Sequence, residues 1–306
     1  MLKNQKILLT GAAGQIALPL GQFLAANNEV WGIARFSAPG SRERCEQAGM
    51  VTRSIDLASG DFADLPQDFD YVLHLAVFQL AGHDYDHALR VNAEGTALLM
   101  AHCRAAKACL VMSTCAVYAL HPDPQHAFRE DDPLGDSHQP FSPTYAMSKV
   151  AQEAVARSCA RLYQLPTTIA RMNVSYSSNG GLPAYHLDAI MQGEEIVLPS
   201  GGEAWYTCIH QDDINHQVEA LLAAASVPAT IVNWSGDDPV DVRSWCQYLG
   251  ELAGRQPVFR TDDAGSIPSR VTDNVRRIAL TGPCRVGWRE GFAAMARERY
   301  PELTKQ

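Results

Sequence analysis

Short runs of Val, Ile and Leu recur along the first half of the chain, and each is followed by a longer segment with helix-like spacing of apolar positions. Ile7–Leu9 precedes a helical pattern from about Gly14 to Ala26, and Val30–Ala34 precedes a polar helix around Ser41–Ala48. Val51–Ile55 and Tyr71–Leu75 form two more strands, and a long helical pattern covers Tyr85–Ala106. After the strand Leu110–Met112, Ser142-Pro143 predicts a helix start, with serine as N-cap and proline at the first helical position. The apolar positions of that helix run from Val150 through Ala154 and Val155 to Leu162, and Thr167–Ala170 is the next strand. Strand–helix alternation of this kind predicts an α/β fold, a doubly wound parallel sheet with helices on both faces.

The rhythm changes after about Asn173. Ser175–Pro183 is rich in Ser, Gly and Asn and is read as a loop. A helix near Tyr185–Gln192, a strand at Ile196–Leu198 and a helix over Asp213–Ala225 follow. The chain is therefore divided into a first domain, 1–172, and a smaller substrate lobe, 173–306, with segments from about 205 to 235 returning to the first domain. The acidic, Pro- and His-rich stretch His121–Pro140 is a long loop, of a length more often used for function than not.

Composition narrows the partners. The chain has 306 residues and a net charge of −9, with only five lysines. Phosphate backbones need a basic face, so nucleic acid is not expected as a partner. No apolar run is long enough to span a membrane, and MLKNQKILLTG enters a strand directly without a signal peptide. The eight cysteines, at 45, 103, 109, 115, 159, 208, 246 and 284, form no Cys-x-x-Cys pair. They are read as reduced core thiols of a cytoplasmic protein. His83-Asp84-Tyr85-Asp86-His87 is either a polar loop or part of a metal site; no third ligand is placed, and no metal is expected.

The first strand runs into ILLTGAAGQIALPLGQFL, which puts Gly11, Gly14 and Ala17 at a strand-to-helix turn. Such a turn needs glycine for positive φ and for close approach to phosphate, and a small residue for helix–sheet packing. It predicts a dinucleotide site. At the end of the second strand, VWGIARFSAPGSRER offers no acid for a ribose 2′-hydroxyl, but it offers Arg35, Ser37 and Arg42. Arginine suits a 2′-phosphate, so NADP is favoured over NAD; the other reading has Arg35 stacked on the adenine. Asp56, in SIDLA, either meets the adenine amino group or caps a turn.

In TYAMSK, Tyr145 and Lys149 stand at i and i+4, neighbours on one helix face. The glycine loop, HLA at 74–76, N-x-x-G-T at 92–96, MSTCAVYA at 112–119, YAMSK at 145–149 and IHQDDI at 209–214 occur in one order. Together they resemble the extended short-chain dehydrogenase/reductase superfamily, in its epimerase/dehydratase branch. The resemblance implies a Rossmann-type cofactor domain. The cofactor would touch Gly11, Gly14, Gln15, Ile16, Arg35, Asp56, Leu57, Leu75, Ala76 and Asn92, besides Tyr145 and Lys149. It implies that Thr114, or its neighbour Ser113, hydrogen-bonds the reacting oxygen, that Tyr145 is the general acid or base, and that Lys149 tunes it and binds ribose hydroxyls. A phenol titrates near 10, and a nearby ammonium favours the phenolate.

Departures from the branch narrow the function. Dehydratases resemble one another in an Asp-Glu pair after the catalytic Thr; here Cys115-Ala116 stands there, which disfavours dehydration. Nucleotide-sugar epimerases carry an arginine where this chain has Tyr206, flanked by Trp205. These two aromatics are either pocket wall or lobe core, and Arg171 is a further candidate cation, although in relatives the arginine after the sixth strand often has a structural role. The resulting expectation is an NADPH-dependent reductase of a ketone or aldehyde on a small, non-nucleotide substrate. Its pocket would be lined by Val77–Asp84 with Phe78, by Ser113–Tyr118 with Thr114, by Asn173–Leu182, and by Trp205 and Tyr206. The alternative is an NAD-dependent sugar epimerase or sugar-acid dehydrogenase. In relatives the helices equivalent to Tyr85–Ala106 and Pro143–Tyr163 form a dimer interface, so a homodimer is expected.

Overall fold

A computed structural model describes residues 2–135 and 142–305. The end of the loop read over His121–Pro140 therefore lies outside the described residues. Seven parallel strands build the central sheet: β1 (Lys6–Thr10), β2 (Glu29–Ala34), β3 (Val51–Ser54), β4 (Tyr71–His74), β5 (Ala108–Thr114), β7 (Thr167–Met172) and β12 (Thr230–Trp234). The short strands pair off separately: β6 (Ala127–Phe128) with β15 (Val271–Thr272), β8 (Ser175–Tyr176) with β11 (Ile209–His210), β9 (Glu195–Leu198) with β14 (Val258–Thr261), and β10 (Trp205–Tyr206) with β13 (Val240–Asp241). Helices are α1 (Ala17–Ala25), α2 (Ser41–Gln47), α3 (Tyr85–Leu89), α4 (Gly95–His102), α5 (Tyr145–Tyr163), α6 (Leu182–Gln192), α7 (Gln211–Ala223), α8 (Val242–Ala253), α9 (Val275–Thr281) and α10 (Trp288–Arg299). Among the described residues no helix is long and apolar enough to cross a membrane.

The sheet order is β12-β7-β5-β4-β1-β2-β3. The chain winds outward from β1 to β3, then returns to β4 on the other side of β1. This reversal opens a crevice at the carboxyl ends of β1 and β4, where such folds bind ligands. Alternation along the strands supplies both faces. Ile7 and Leu9 pack with Leu20, Ile214 and Leu221 under α1 and α7, whereas Leu8 packs with Val72, Leu99 and Ala156 under α4 and α5. With both faces covered, the strands are near-continuous apolar runs, as parallel sheets require. A third core, around Tyr176, Leu187, Trp245 and Phe292, belongs to α6, α8 and α10.

Two helices differ from their sequence patterns. The pattern over Tyr85–Ala106 is not one α-helix: α3 passes through a π-helical turn, Arg90–Glu94, into α4. The catalytic-candidate helix α5 begins at Tyr145 with Thr144 as N-cap, two residues after the predicted serine cap. More telling is its buried face. Val150 and Val155 are only half-buried, and Ala154 and Leu162 are exposed. The face turned inward carries Ser148, Lys149, Gln152 and Glu153 with Ala146, Ala156 and Cys159.

Burying these polar groups demands partners. Glu153 accepts from Arg171 Nε (2.9 Å) and Nη2 (2.8 Å), and from Ser113 Oγ (2.6 Å). The Arg171 guanidinium also donates to the Glu130 carbonyl and stands 4.8 Å from the Tyr118 ring centre. Arg171 is thus part of the frame and does not line the substrate cavity. This pair ties α5 to the ends of β5 and β7. Removing one partner leaves an uncompensated buried charge, so Glu153→Ala should cost about 3–5 kcal/mol in denaturant unfolding. The double variant Glu153→Leu, Arg171→Met should recover most of that loss; equal loss in both would show that the charge is not the cause.

Candidate active site

Gly11 leaves β1 at φ +69°, and a Cβ there would lie 2.9 Å from the Ala76 Cα. A Cβ on Gly14 would lie 2.9 Å from the Gly11 carbonyl oxygen. Only glycine fits either place, and the bare backbone opens onto two adjoining cavities. The first, of about 380 Å³, is lined by Arg35, Ser37, Ser41, Arg44, Asp56 and Leu57, among others. The second, of about 630 Å³, is lined by Gln15, Ile16, Thr114, Tyr145 and Lys149, among others. Gly11, Gly14, Leu75 and Val77 border both. A glycine cradle between two joined cavities fits an extended dinucleotide, with its pyrophosphate at the turn.

The first cavity corrects one detail. Arg42, offered by the sequence for a 2′-phosphate, points away: its Nε donates to Glu46 (3.0 Å) and Thr52 (2.9 Å). Arg44, two positions on along α2, lines the cavity with Arg35. Asp56 both lines the cavity and caps the following turn, accepting from the Ala58 N–H at 3.0 Å.

In the second cavity the Thr114 side chain stands beside Tyr145, where its hydroxyl favours the phenolate, and its Oγ1 accepts from the Ala116 N–H at 3.1 Å. The Ser113 hydroxyl is held by Glu153, so Thr114 is the residue placed to share an oxygen with Tyr145. Lys149 is 2% exposed and donates to the Met112 carbonyl at 2.7 Å. Burial pushes the Tyr145 phenol up to about 12, against the pull of the Thr114 hydroxyl, with Cys115 adding to the rise. Burial pulls Lys149 down to about 7, against the opposing attraction of Glu153. Both groups are thus biased towards their neutral forms.

Other sequence candidates fall into place unevenly. Leu75 lines both cavities and Ala76 the first. Asn173 and Tyr206 line the second, although the Asn173 amide is engaged by Thr207 and the Arg270 carbonyl. Trp205 lies outside that lining, because β10 alternates and turns only Tyr206 inward. Phe78 borders the first cavity instead of the second. Asn92 lines neither: it is fully buried behind the wall, with its amide clamping the backbone of Phe78 (2.8 and 3.0 Å). Tyr185, Ile267 and Arg270 line the second cavity and were not anticipated. They come from elements distant in sequence, and no local motif marks them. No Asp or Glu lines this cavity among the described residues. The same holds for metal ligation: no group of three or more His, Cys, Asp or Glu is placed to hold an ion, and Asp84 of the His83–His87 stretch caps α3.

The depressed Lys149 carries a sign. Below about pH 7 it is charged in both folded and unfolded chains, and the native state bears the full burial penalty. Above that, the folded chain sheds the proton first, so the penalty fades and is gone above the ordinary value near 10.5. Lys149→Met should therefore raise the melting temperature of the cofactor-free protein at pH 6, with the gain shrinking towards pH 10. A pH-independent difference would contradict this assignment.

Comparison with known proteins agrees with the geometry. The family model for the NAD dependent epimerase/dehydratase family matches residues 7–233. A Streptomyces protein, the 3-diazoavenalumate denitrifying reductase, is 24% identical over 312 residues, covering 94% of this chain and 99% of its own. The UDP-glucuronic acid 4-epimerase of Bacillus cereus, solved with UDP-glucuronic acid and NAD, superposes with a TM-score of 0.82 at 21% identity, covering 97% of this chain and 99% of the epimerase. The UDP-N-acetylglucosamine 4-epimerase of Methanobrevibacter ruminantium, solved with UDP-N-acetylmuramic acid, gives 0.82 at 19% identity over 98% and 99%. With the glycine cradle, the reversed sheet and the Thr114–Tyr145–Lys149 cluster in place, the chain belongs to the NAD dependent epimerase/dehydratase family and is an NAD(P)-dependent enzyme of the extended short-chain dehydrogenase/reductase class.

Proposed function

We propose that the protein reduces a ketone or aldehyde on a small, non-nucleotide molecule, using NADPH. The observation that carries this reading is the first cavity, where Arg35, Arg44, Ser37 and Ser41 stand and no carboxylate ends β2. Two guanidiniums and two hydroxyls suit a 2′-phosphate, whereas a bare ribose is usually met by an acid. A phosphorylated nicotinamide dinucleotide, when bound, supplies the hydride. Tyr145 brings the proton: pushed up to about 12, its phenol is protonated at neutral pH and is placed as an acid towards the substrate oxygen. Thr114 shares that oxygen and fixes its direction. Lys149, one helical turn on, stabilises the phenolate left behind when it carries its proton. Tyr206 and Tyr185 give the substrate end an aromatic wall, which suits a small ring. The relative named as a reductase acts on a diazo compound, so diazo acceptors belong in the same substrate screen.

A second reading, epimerisation or oxidation of a sugar with NAD, draws more support from the comparisons than the first. The similar solved structures include sugar epimerases holding NAD or nucleotide sugars, and the cavity contains a guanidinium, Arg270, although none at position 206. Eight free cysteines, seven of them buried, fit a reducing cytoplasm. A homodimer is part of the proposal: Tyr85, Leu98, Met147 and Leu162 are exposed on α3, α4 and α5. Light scattering after gel filtration should then give twice the chain mass, and a single-chain mass would remove the dimer.

Absorbance at 340 nm decides between the readings. NADPH should be used at least about tenfold better than NADH, and Arg44→Ala should erase most of that preference. Tyr145→Phe should lower turnover by roughly 10²–10⁴ while cofactor binding persists. Equal or better use of NADH, together with turnover of a UDP-sugar, would favour the second reading. Unchanged turnover in Tyr145→Phe would overturn both.

A further inference from the structure

His74 ends β4 between the two walls of the crevice and is fully buried. Its Nδ1 lies 2.7 Å from Thr10 Oγ1, its cross-strand neighbour at the end of β1. Its Nε2 lies 2.7 Å from Thr96 Oγ1 on α4. Counting donors assigns every proton. Thr96 has one hydroxyl hydrogen, and it goes to the Asn92 carbonyl at 2.7 Å. Thr96 also accepts from Gln152 Nε2 at 3.0 Å. It can therefore only accept from His74, which must carry its hydrogen on Nε2. On the other side Thr10 Oγ1 accepts the Ala76 N–H at 3.0 Å and donates to the bare Nδ1.

The chain of bonds joins three pieces of the site. Thr10 and Ala76 hold the glycine turn against the end of β4, where Gly11 touches Ala76. Asn92 fixes the backbone of Phe78 and donates to Ser148 at 2.9 Å, between Tyr145 and Lys149. Gln152 lies one turn beyond Ser148 on the same helix. We propose that His74, locked as the neutral Nε2–H tautomer, is a positioning residue that couples the cofactor turn to the helix of Tyr145 and Lys149. It touches neither cavity itself. Its neutrality has a physical cause: burial first, and the nearby Lys149 charge second, pull it down to about 3. A cation here would in turn oppose the ammonium of Lys149.

The inference rests on the cofactor reading, so its test uses cofactor alone. NADPH binding is titrated by fluorescence in the full-length protein and its variants. His74→Phe should weaken binding about tenfold, the size of one buried hydrogen bond left unmade. His74→Gln, which can keep an N–H towards Thr96, should stay within about threefold of wild type. Thr10→Val and Gln152→Leu share no contact, yet their effects on binding should be non-additive with His74 present and additive in His74→Phe. Wild-type affinity in His74→Phe, or additive effects in the His74 background, would overturn the coupling. If the Phe variant does not fold, the binding of His74→Gln and the double-mutant cycle in the His74 background decide alone. Failure of the wild-type protein to bind any nicotinamide dinucleotide would instead overturn the cofactor reading beneath it.

Discussion

The buried ion pair between Arg171 on β7 and Glu153 on α5 sets the geometry on which the site depends. Its two hydrogen bonds, at 2.9 and 2.8 Å, pin a helix that turns an unusually polar face to the sheet. Glu153 also takes the hydroxyl of Ser113, which leaves Thr114 to face the cavity, and it lies one turn from Lys149, whose ammonium it favours. A single carboxylate thus fixes the helix, selects which hydroxyl meets the phenol, and offsets part of the cost of a buried lysine. Such pairs seldom add net stability over apolar replacements. Here the pair makes a polar helix face tolerable where chemistry needs it.

The same polar face explains what the sequence conceals. Hydrophobic periodicity places the parallel strands and most helices of the first half, because both sheet faces are covered and apolar runs mark the strands. On α5 the period selects Val150, Val155 and Leu162, but the buried side carries Ser148, Lys149, Gln152 and Glu153. A pattern that counts apolar residues cannot find a face buried through hydrogen bonds. Within the π-helical turn at Arg90–Glu94, Asn92 is likewise buried through hydrogen bonds, to Phe78 and Ser148.

The candidate site was legible where its residues are local in sequence. Gly11, Gly14, Tyr145 and Lys149 declare themselves by spacing, and Thr114 by its place after a strand; the fold brings all five to one continuous crevice. Arg42 and Arg44 differ only in helical phase, which the sequence leaves open, and the register of α2 settles it. Trp205 and Tyr206 likewise differ only by strand alternation. Tyr185, Ile267 and Arg270 reach the cavity from later elements, through contacts that no single segment encodes.

Burial biases both Tyr145 and Lys149 towards their neutral forms, and Lys149 is the one it brings close to neutrality. Selective isotope labelling of the five lysines, followed by NMR titration of the cofactor-free protein, reads that directly. The signal lost in Lys149→Met should titrate near 7. Glu153→Gln should move it lower still, because the carboxylate opposes the effect of burial. A Lys149 ammonium titrating at its ordinary value near 10.5, unmoved by Glu153→Gln, would contradict the account.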